Sequence, residues 1–212
     1  MVRALGPDSA EGLAGQTDEE LMIRYRDEGS ADVFAELVNR YERELYRYLA
    51  RYLGDPSLAE DVFQNTFLQV HLKRGLFEDG RPFRPWLYSI ATHQAVDVLR
   101  KVGRHPTVSL DQTLAVPTDA QAGSLLDLLV NEGVGPLADL EEQERQQWVR
   151  ESIARLPETL RQTLILAYHQ DLKYREIAEI LKIPVGTVKS RLHAAIAKLQ
   201  QMARQAIPDG KE

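Results

Sequence analysis

The chain has 212 residues, a net charge of −6 and a sequence pI near 5.5, which leaves room for one large domain or two small ones. Hydrophobic residues at 43% and charged residues at 27% exclude wholesale disorder, and the absence of cysteine excludes disulfides, thiolate metal sites and cysteine nucleophiles. No apolar run approaches the roughly 18 residues that cross a bilayer, so no membrane insertion is expected and a cytoplasmic location fits.

Residues 1–16 lack the apolar core of a signal peptide and are expected to form a disordered tail. The pairs Thr17 with Glu20 and Ser57 with Glu60 have the spacing of capping boxes, in which each side chain satisfies an orphaned amide of a first helical turn. Between them Phe34, Leu37, Tyr41, Leu45, Tyr48 and Tyr52 recur at intervals of three and four, so a helix over 31–53 buries one face, and Gly54 with Pro56 stops it.

A helix over 58–73 repeats the rhythm with Val62, Phe63, Thr66, Phe67 and Val70. The glycines and proline of 75–83 predict a loop, and Pro85 suits the first turn of a fourth helix that carries Trp86, Leu87, Ile90, Val98 and Leu99 and fades before Gly103. Residues 104–136, rich in Pro, Thr, Ser, Gly and Asp around one apolar island, SLLDLLV, predict a flexible linker. Helical text resumes at 137 and runs to Leu156. Nothing alternates with period two, so the expected fold is all-α. It divides into a tail over 1–16, a helical domain over 17–103, an acidic linker over 104–136, a second helical domain over 137–207 and a tail over 208–212.

The stretch YREIAEILKIPVGTVKSRLHAAIAKL predicts two helices with a corner at 182–184, a helix-turn-helix. At 100° per residue Val188, Leu192, Ala195 and Leu199 share one seam, which Ile177, Ala178, Ile180 and Leu181 face. Thr187, Ser190, Ala194 and Ala197 then point outward, with Lys189, Arg191 and His193 on the flanks. Small residues outward with cations beside them suit a helix that must approach base edges closely and hold phosphates. Charge is distributed to match: residues 148–205 hold ten basic against five acidic side chains, whereas 105–147 hold Arg145 alone against eight acids. Attraction to phosphate is local, decaying over about 8 Å at physiological salt, so an acidic chain can carry a basic reader.

With these residues in place the chain resembles the extracytoplasmic-function group of bacterial sigma factors over 18–101 and 148–201. LPETLRQTLIL, YREIAEIL and PVGTVKSRLHAAIAKL resemble the family's region 4 in order and spacing; SLAEDVFQNTFLQV and FRPWLYSIATHQAVDVLRK resemble the polymerase-docking and promoter-melting helices of its region 2. The resemblance implies a factor that directs core RNA polymerase to promoters, reading minus-35 and minus-10 elements and melting DNA. It implies that Thr187, Lys189, Ser190, Arg191 and His193 meet the upstream element and that Asp61, Gln64, Asn65, Phe67 and Leu68 lie at the polymerase contact. The 75–83 loop and the helix after it, with Arg81, Arg84, Trp86, Tyr88 and His93, are implied at the downstream element. Promoter DNA, core polymerase and an anti-sigma factor are the implied partners.

Two readers roughly 25 base pairs apart stand about 85 Å from each other, and a linker of 33 residues, stretched, reaches on the order of 110 Å. The resemblance also implies that the acidic linker lies in the polymerase channel that later holds RNA. Two departures from the family pattern are Ala194, where many relatives carry a long basic residue, and His93 with Gln94, which replace a commoner Arg-Asn pair. Other readings weigh against these. Trp86 opens an apolar helical face and fits core packing better than base stacking, while Phe63 and Phe67 stand between packing and partner contact. His71, His93, His105, His169 and His193 show no metal-ligand spacing, and no phosphate-cradling glycine loop, HExxH helix or GxSxG elbow occurs, so neither metal, cofactor nor enzymatic activity is expected. The rival functions are a dimeric helix-turn-helix regulator acting without polymerase docking and an all-helical protein-binding adaptor.

Overall fold

The computed structural model describes residues 13–102, 142–168, 170 and 172–206. These form two all-helical units that divide between residues 103 and 104; among the described residues there is no strand, and no helix is long and apolar enough to cross a membrane. The residues of the tail up to 12, the 104–136 stretch with its SLLDLLV island, the start of the helix expected from 137, and 207–212 lie outside the described residues.

Five elements build the first unit: α1 (Asp18–Glu28), α2 (Ala31–Leu53), α3 (Pro56–Lys73), a 3-10 turn (Arg74–Leu76) and α4 (Phe83–Lys101). The expected capping box opens α1, where the Glu20 amide donates to Thr17 Oγ1 at 3.2 Å and the Thr17 amide to Glu20 Oε2 at 2.8 Å. Of the stretch read as a tail, residues 13–16 pack onto the unit: Leu13 is buried, and Arg40 donates to the carbonyls of Leu13 and Gln16 and to Asp18.

The second expected box does not form. Pro56 is preset for a first helical turn and has no amide to lose, so α3 starts ahead of Ser57 and the Asp55 carboxylate caps the Ser57 and Leu58 amides at 2.9 and 3.2 Å. Gly54, at φ +69°, closes α2 in a left-handed conformation and returns its amide to Ala50 O at 3.0 Å.

Along α2 the stripe Leu37, Tyr41, Leu45, Tyr48 and Tyr52 is buried as the periodicity requires, with Val33 in place of Phe34. Phe34 is half-buried and stacks on Tyr25 at 4.6 Å between ring centroids. The stripe packs against α3 and α4, which also lie against each other. Each fully buried aliphatic or aromatic side chain stabilises the unit by about 1.5–3 kcal/mol, the term that holds four short-linked helices together.

In the second unit α5 (Glu142–Ala154), α6 (Glu158–Tyr168), α7 (Tyr174–Leu181) and α8 (Val185–Ala206) follow in order. The predicted seam is buried at every position, Val188, Leu192, Ala195 and Leu199, and Ala203 extends it. It lies along both α6, through Leu160, Leu164 and Ile165, and α7, through Ile177 and Ile180.

The corner between α7 and α8 turns on Lys182, at φ 53° and ψ 46°. Its amide bonds Glu179 O at 3.3 Å and that of Ile183 bonds Ala178 O at 3.0 Å, the paired closure of a Schellman motif, and Pro184 prevents the helix from continuing. This position usually holds glycine, because a Cβ is strained in the left-handed region. Lys182→Gly is therefore expected to raise the unfolding free energy of the second unit by about 0.5–1 kcal/mol, measured by denaturant titration.

Candidate nucleic-acid and docking surfaces

The start of α8 is the exposed part of its first two turns. Val185 and Gly186 are exposed, and a Cβ built at Gly186 would meet nothing within 4 Å. Thr187, Lys189, Ser190 and Arg191 are half-buried and His193 is exposed, so none of the five side chains expected to meet DNA lies in the buried seam. Ser190 Oγ donates to Thr187 O at 3.0 Å, which spends its proton on the helix and leaves the oxygen lone pairs to accept from outside. These residues therefore combine cationic side chains, the hydroxyls of Thr187 and Ser190 and little bulk, a set that a groove edged by phosphates accommodates.

On α3 the positions 61, 64, 65, 68 and 72 fall on one helical face, and Asp61, Gln64, Asn65, Leu68 and Leu72 are all exposed. Asn65 Nδ2 donates to Gln94 Oε1 at 3.4 Å and Gln64 Nε2 to Glu60 at 3.2 Å. Phe67, expected on this surface, is instead core. It points to the opposite side, 5% exposed, with its ring edge-on to Phe34 and Phe63 at 6.1 and 5.2 Å. The physical reason is phase, since Phe67 follows the buried Thr66 and shares its side of the helix with Val70.

Leu72 and Leu76 are residues that sequence reasoning missed. Leu68, Leu72 and Leu76 are 52%, 62% and 69% exposed, a row of leucines at every fourth position turned away from the core. For Leu72 the signal was present, because it lies on α3 out of phase with Val62, Thr66 and Val70; Leu76 follows in the 3-10 turn.

The downstream candidates divide. Trp86 is buried between Phe77 and Phe83, with ring centroids at 5.1 and 6.0 Å, as its place on an apolar face suggested. Tyr88 is also a core residue rather than a surface contact: it is fully buried, and its hydroxyl donates to Glu44 Oε1 at 2.7 Å. Burial, and then the Glu44 carboxylate, push the Tyr88 phenol far above the usual tyrosine range, so it stays protonated and keeps donating.

Arg84 Nε donates to the same Glu44 oxygen at 3.1 Å, and its guanidinium lies 5.5 Å from the centre of the Tyr88 ring. Its charge is thus matched inside the unit by a carboxylate from α2, which takes it off the list of ready phosphate contacts. Arg81 is half-buried in the loop before α4 and His93 is exposed on α4. His93 Nδ1 lies 2.5 Å from Ser89 O, and since a carbonyl only accepts, Nδ1 is the donor.

Comparison with known proteins bears on both units. Residues 37–105 match the family described as Sigma-70 region 2, and residues 146–199 that described as Sigma-70, region 4. The ECF RNA polymerase sigma factor SigW of Bacillus subtilis is 33% identical over 189 residues, covering 87% of this chain and 98% of that one. The RNA polymerase sigma-H factor of Pseudomonas aeruginosa is 33% identical over 205 residues, covering 92% and 100%.

Among solved structures, CnrH in complex with the cytosolic domain of CnrY superposes with a TM-score of 0.63 at 22% identity, over 90% of this chain and 99% of that one. The sigma factor RpoE in complex with the anti-sigma factor NepR from Bartonella quintana gives 0.55 at 21% identity, over 81% and 96%. Both share this all-helical fold.

Proposed function

The chain belongs to the extracytoplasmic-function group of the sigma-70 family and is an RNA polymerase sigma factor, and from that premise we propose a division of labour between its two units. The second unit grips the upstream promoter element through Thr187, Lys189, Ser190, Arg191 and His193. The first docks on core polymerase through Asp61, Gln64, Asn65, Leu68 and Leu72, and Arg81 in the loop before α4 and His93 on α4 take part at the downstream element. Phe67, Trp86 and Tyr88 act from beneath, as the packing that holds those surfaces in place.

One observation carries this reading: a single chain presents a row of exposed leucines beside polar side chains on one unit and, on the other, a helix with cationic side chains outside its buried seam. Apolar surface of that kind, rimmed by polar groups, suits a protein partner, and the cationic helix suits a duplex. The two rivals, a dimeric regulator and an adaptor, each use only one of these surfaces. The protein performs no reaction of its own in this scheme, since polymerase supplies the chemistry, and it acts in the cytoplasm where polymerase and promoters are.

An anti-sigma factor is the remaining proposed partner, supported by the two solved relatives, one seen with an anti-sigma factor and the other with a cytosolic domain. The purified chain added to core polymerase is expected to give promoter-dependent run-off transcripts. A symmetric footprint on duplex DNA formed without polymerase, with no transcript from the reconstituted system, would overturn the assignment of surfaces.

A further inference from the structure

The loop between the 3-10 turn and α4, residues 77–82, is held at both ends by α1, a helix outside the surfaces assigned so far. At its far end, the Phe83 amide donates to Glu19 Oε1 at 2.8 Å. At its near end, Arg26 Nη1 donates to Phe77 O at 2.8 Å and to Asp79 Oδ1 at 2.7 Å, while Arg26 Nε is tied to the neighbouring Asp27 at 2.7 Å. Glu19 and Arg26 are seven residues apart, two turns of helix and about 10 Å along one face, so α1 spans the loop like a splint.

Each contact supplies what the loop lacks. Pro82 stands at the N-cap of α4 and has no side chain able to accept from a first-turn amide. Glu19, 64 residues earlier, accepts instead and places a negative charge at the positive end of the helix. Phe77 and Phe83 anchor the loop ends in the core, and between them the Arg81 amide closes back on Glu78 O at 3.2 Å through Gly80 at φ +79°. The tip formed by Glu78, Asp79, Gly80 and Arg81 therefore has its shape set by a turn, two aromatic anchors, one ion pair and two hydrogen bonds from charged side chains to the backbone at the loop's ends. A tip of defined shape can discriminate between bases offered to it, because a mismatch leaves its polar groups unpaired.

We propose that Arg26 and Glu19 are positioning residues for sequence discrimination at the downstream element, holding the 77–82 loop in the geometry that receives an unstacked base. This rests on the proposed placement of that element at the loop. Neither residue touches DNA; both act through the loop.

The test uses holoenzyme reconstituted from the full chain and core polymerase, presented with a randomised single-stranded DNA pool whose bound fraction is sequenced. Wild-type holoenzyme is expected to enrich one short motif. Arg26→Ala is expected to lower enrichment at one or more positions of that motif by about tenfold, the scale of one lost charge-assisted tie, with affinity for core polymerase and for the upstream duplex unchanged. Asp79→Ala, which removes the other partner from an exposed site and leaves α1 intact, is expected to do the same. Arg26→Lys keeps a donor but not the forked geometry and should recover part of the enrichment.

Equal enrichment by wild type, Arg26→Ala and Asp79→Ala would overturn the inference while leaving the loop's assignment standing. Loss of core affinity in parallel with enrichment would mark a merely structural role and overturn it as well. If wild-type holoenzyme enriched no motif at all, the placement of the downstream element at the loop would itself fall.

Discussion

Replacing Leu68 and Leu72 together by Asp is expected to weaken binding to core polymerase about a hundredfold or more, read by fluorescence anisotropy of labelled protein titrated with core. Both side chains are more than half exposed on α3, so docking there would remove apolar surface from water worth about 1 kcal/mol for each leucine. An aspartate in the same place adds the cost of a carboxylate without a partner in a closing interface, about 2–5 kcal/mol. The sum reaches the stated loss even at the low end.

The first unit should fold as before, because neither leucine packs in its core and α3 is held from its other side by Val62, Thr66, Phe67 and Val70. An unchanged thermal transition alongside lost affinity is therefore the expected pair of results. Unchanged affinity would remove polymerase from this face.

Lys189→Ala combined with Arg191→Ala is expected to reduce promoter-dependent initiation about a hundredfold, measured as open-complex formation against polymerase concentration. A lost base contact costs about 1–3 kcal/mol, and a lost phosphate contact lowers the slope of log affinity against log salt by about 0.9. The two modes separate in one experiment: a base reader changes the ranking of promoter variants at fixed salt, whereas a phosphate holder leaves the ranking and flattens the slope. Both residues are half-buried beside the seam rather than in it, while Val188 and Leu192 hold α8 in place. No change in either quantity would contradict the placement of α8 on DNA.

The two surfaces differ in how far they were legible from residues alone. The reading helix was visible almost completely, because its seam and its outward face are set by local periodicity, and the structure buries Val188, Leu192, Ala195 and Leu199 together. The proposed docking face was visible in its polar part, Asp61, Gln64 and Asn65, and partly missed in its apolar part. Leu72 was passed over because a leucine in a helix is ordinarily read as core, although its phase along α3 places it outside, and Leu76 because it falls in the stretch read as a loop.

At the downstream element, Arg84 and Tyr88 carry suitable chemistry for DNA, and nothing near them in sequence reveals that both are engaged by Glu44, 40 and 44 residues away. The start of α3 shows a smaller error of the same kind, where Pro56 moves the cap from the expected Ser57 to Asp55.

What the order of residues determined alone was the all-helical class, the seam of the helix-turn-helix and the concentration of positive charge around it. These depend on spacing within one or two turns, and a helix repeats every 3.6 residues whatever surrounds it. Only the tertiary structure decided which aromatic and charged side chains are spent inside the unit, as Trp86, Tyr88, Phe67 and Arg84 are, and which helix steadies the loop before α4. A helical wheel gives each side chain a direction; whether Glu44 or Glu19 waits there is settled by chain segments that meet only when the core closes.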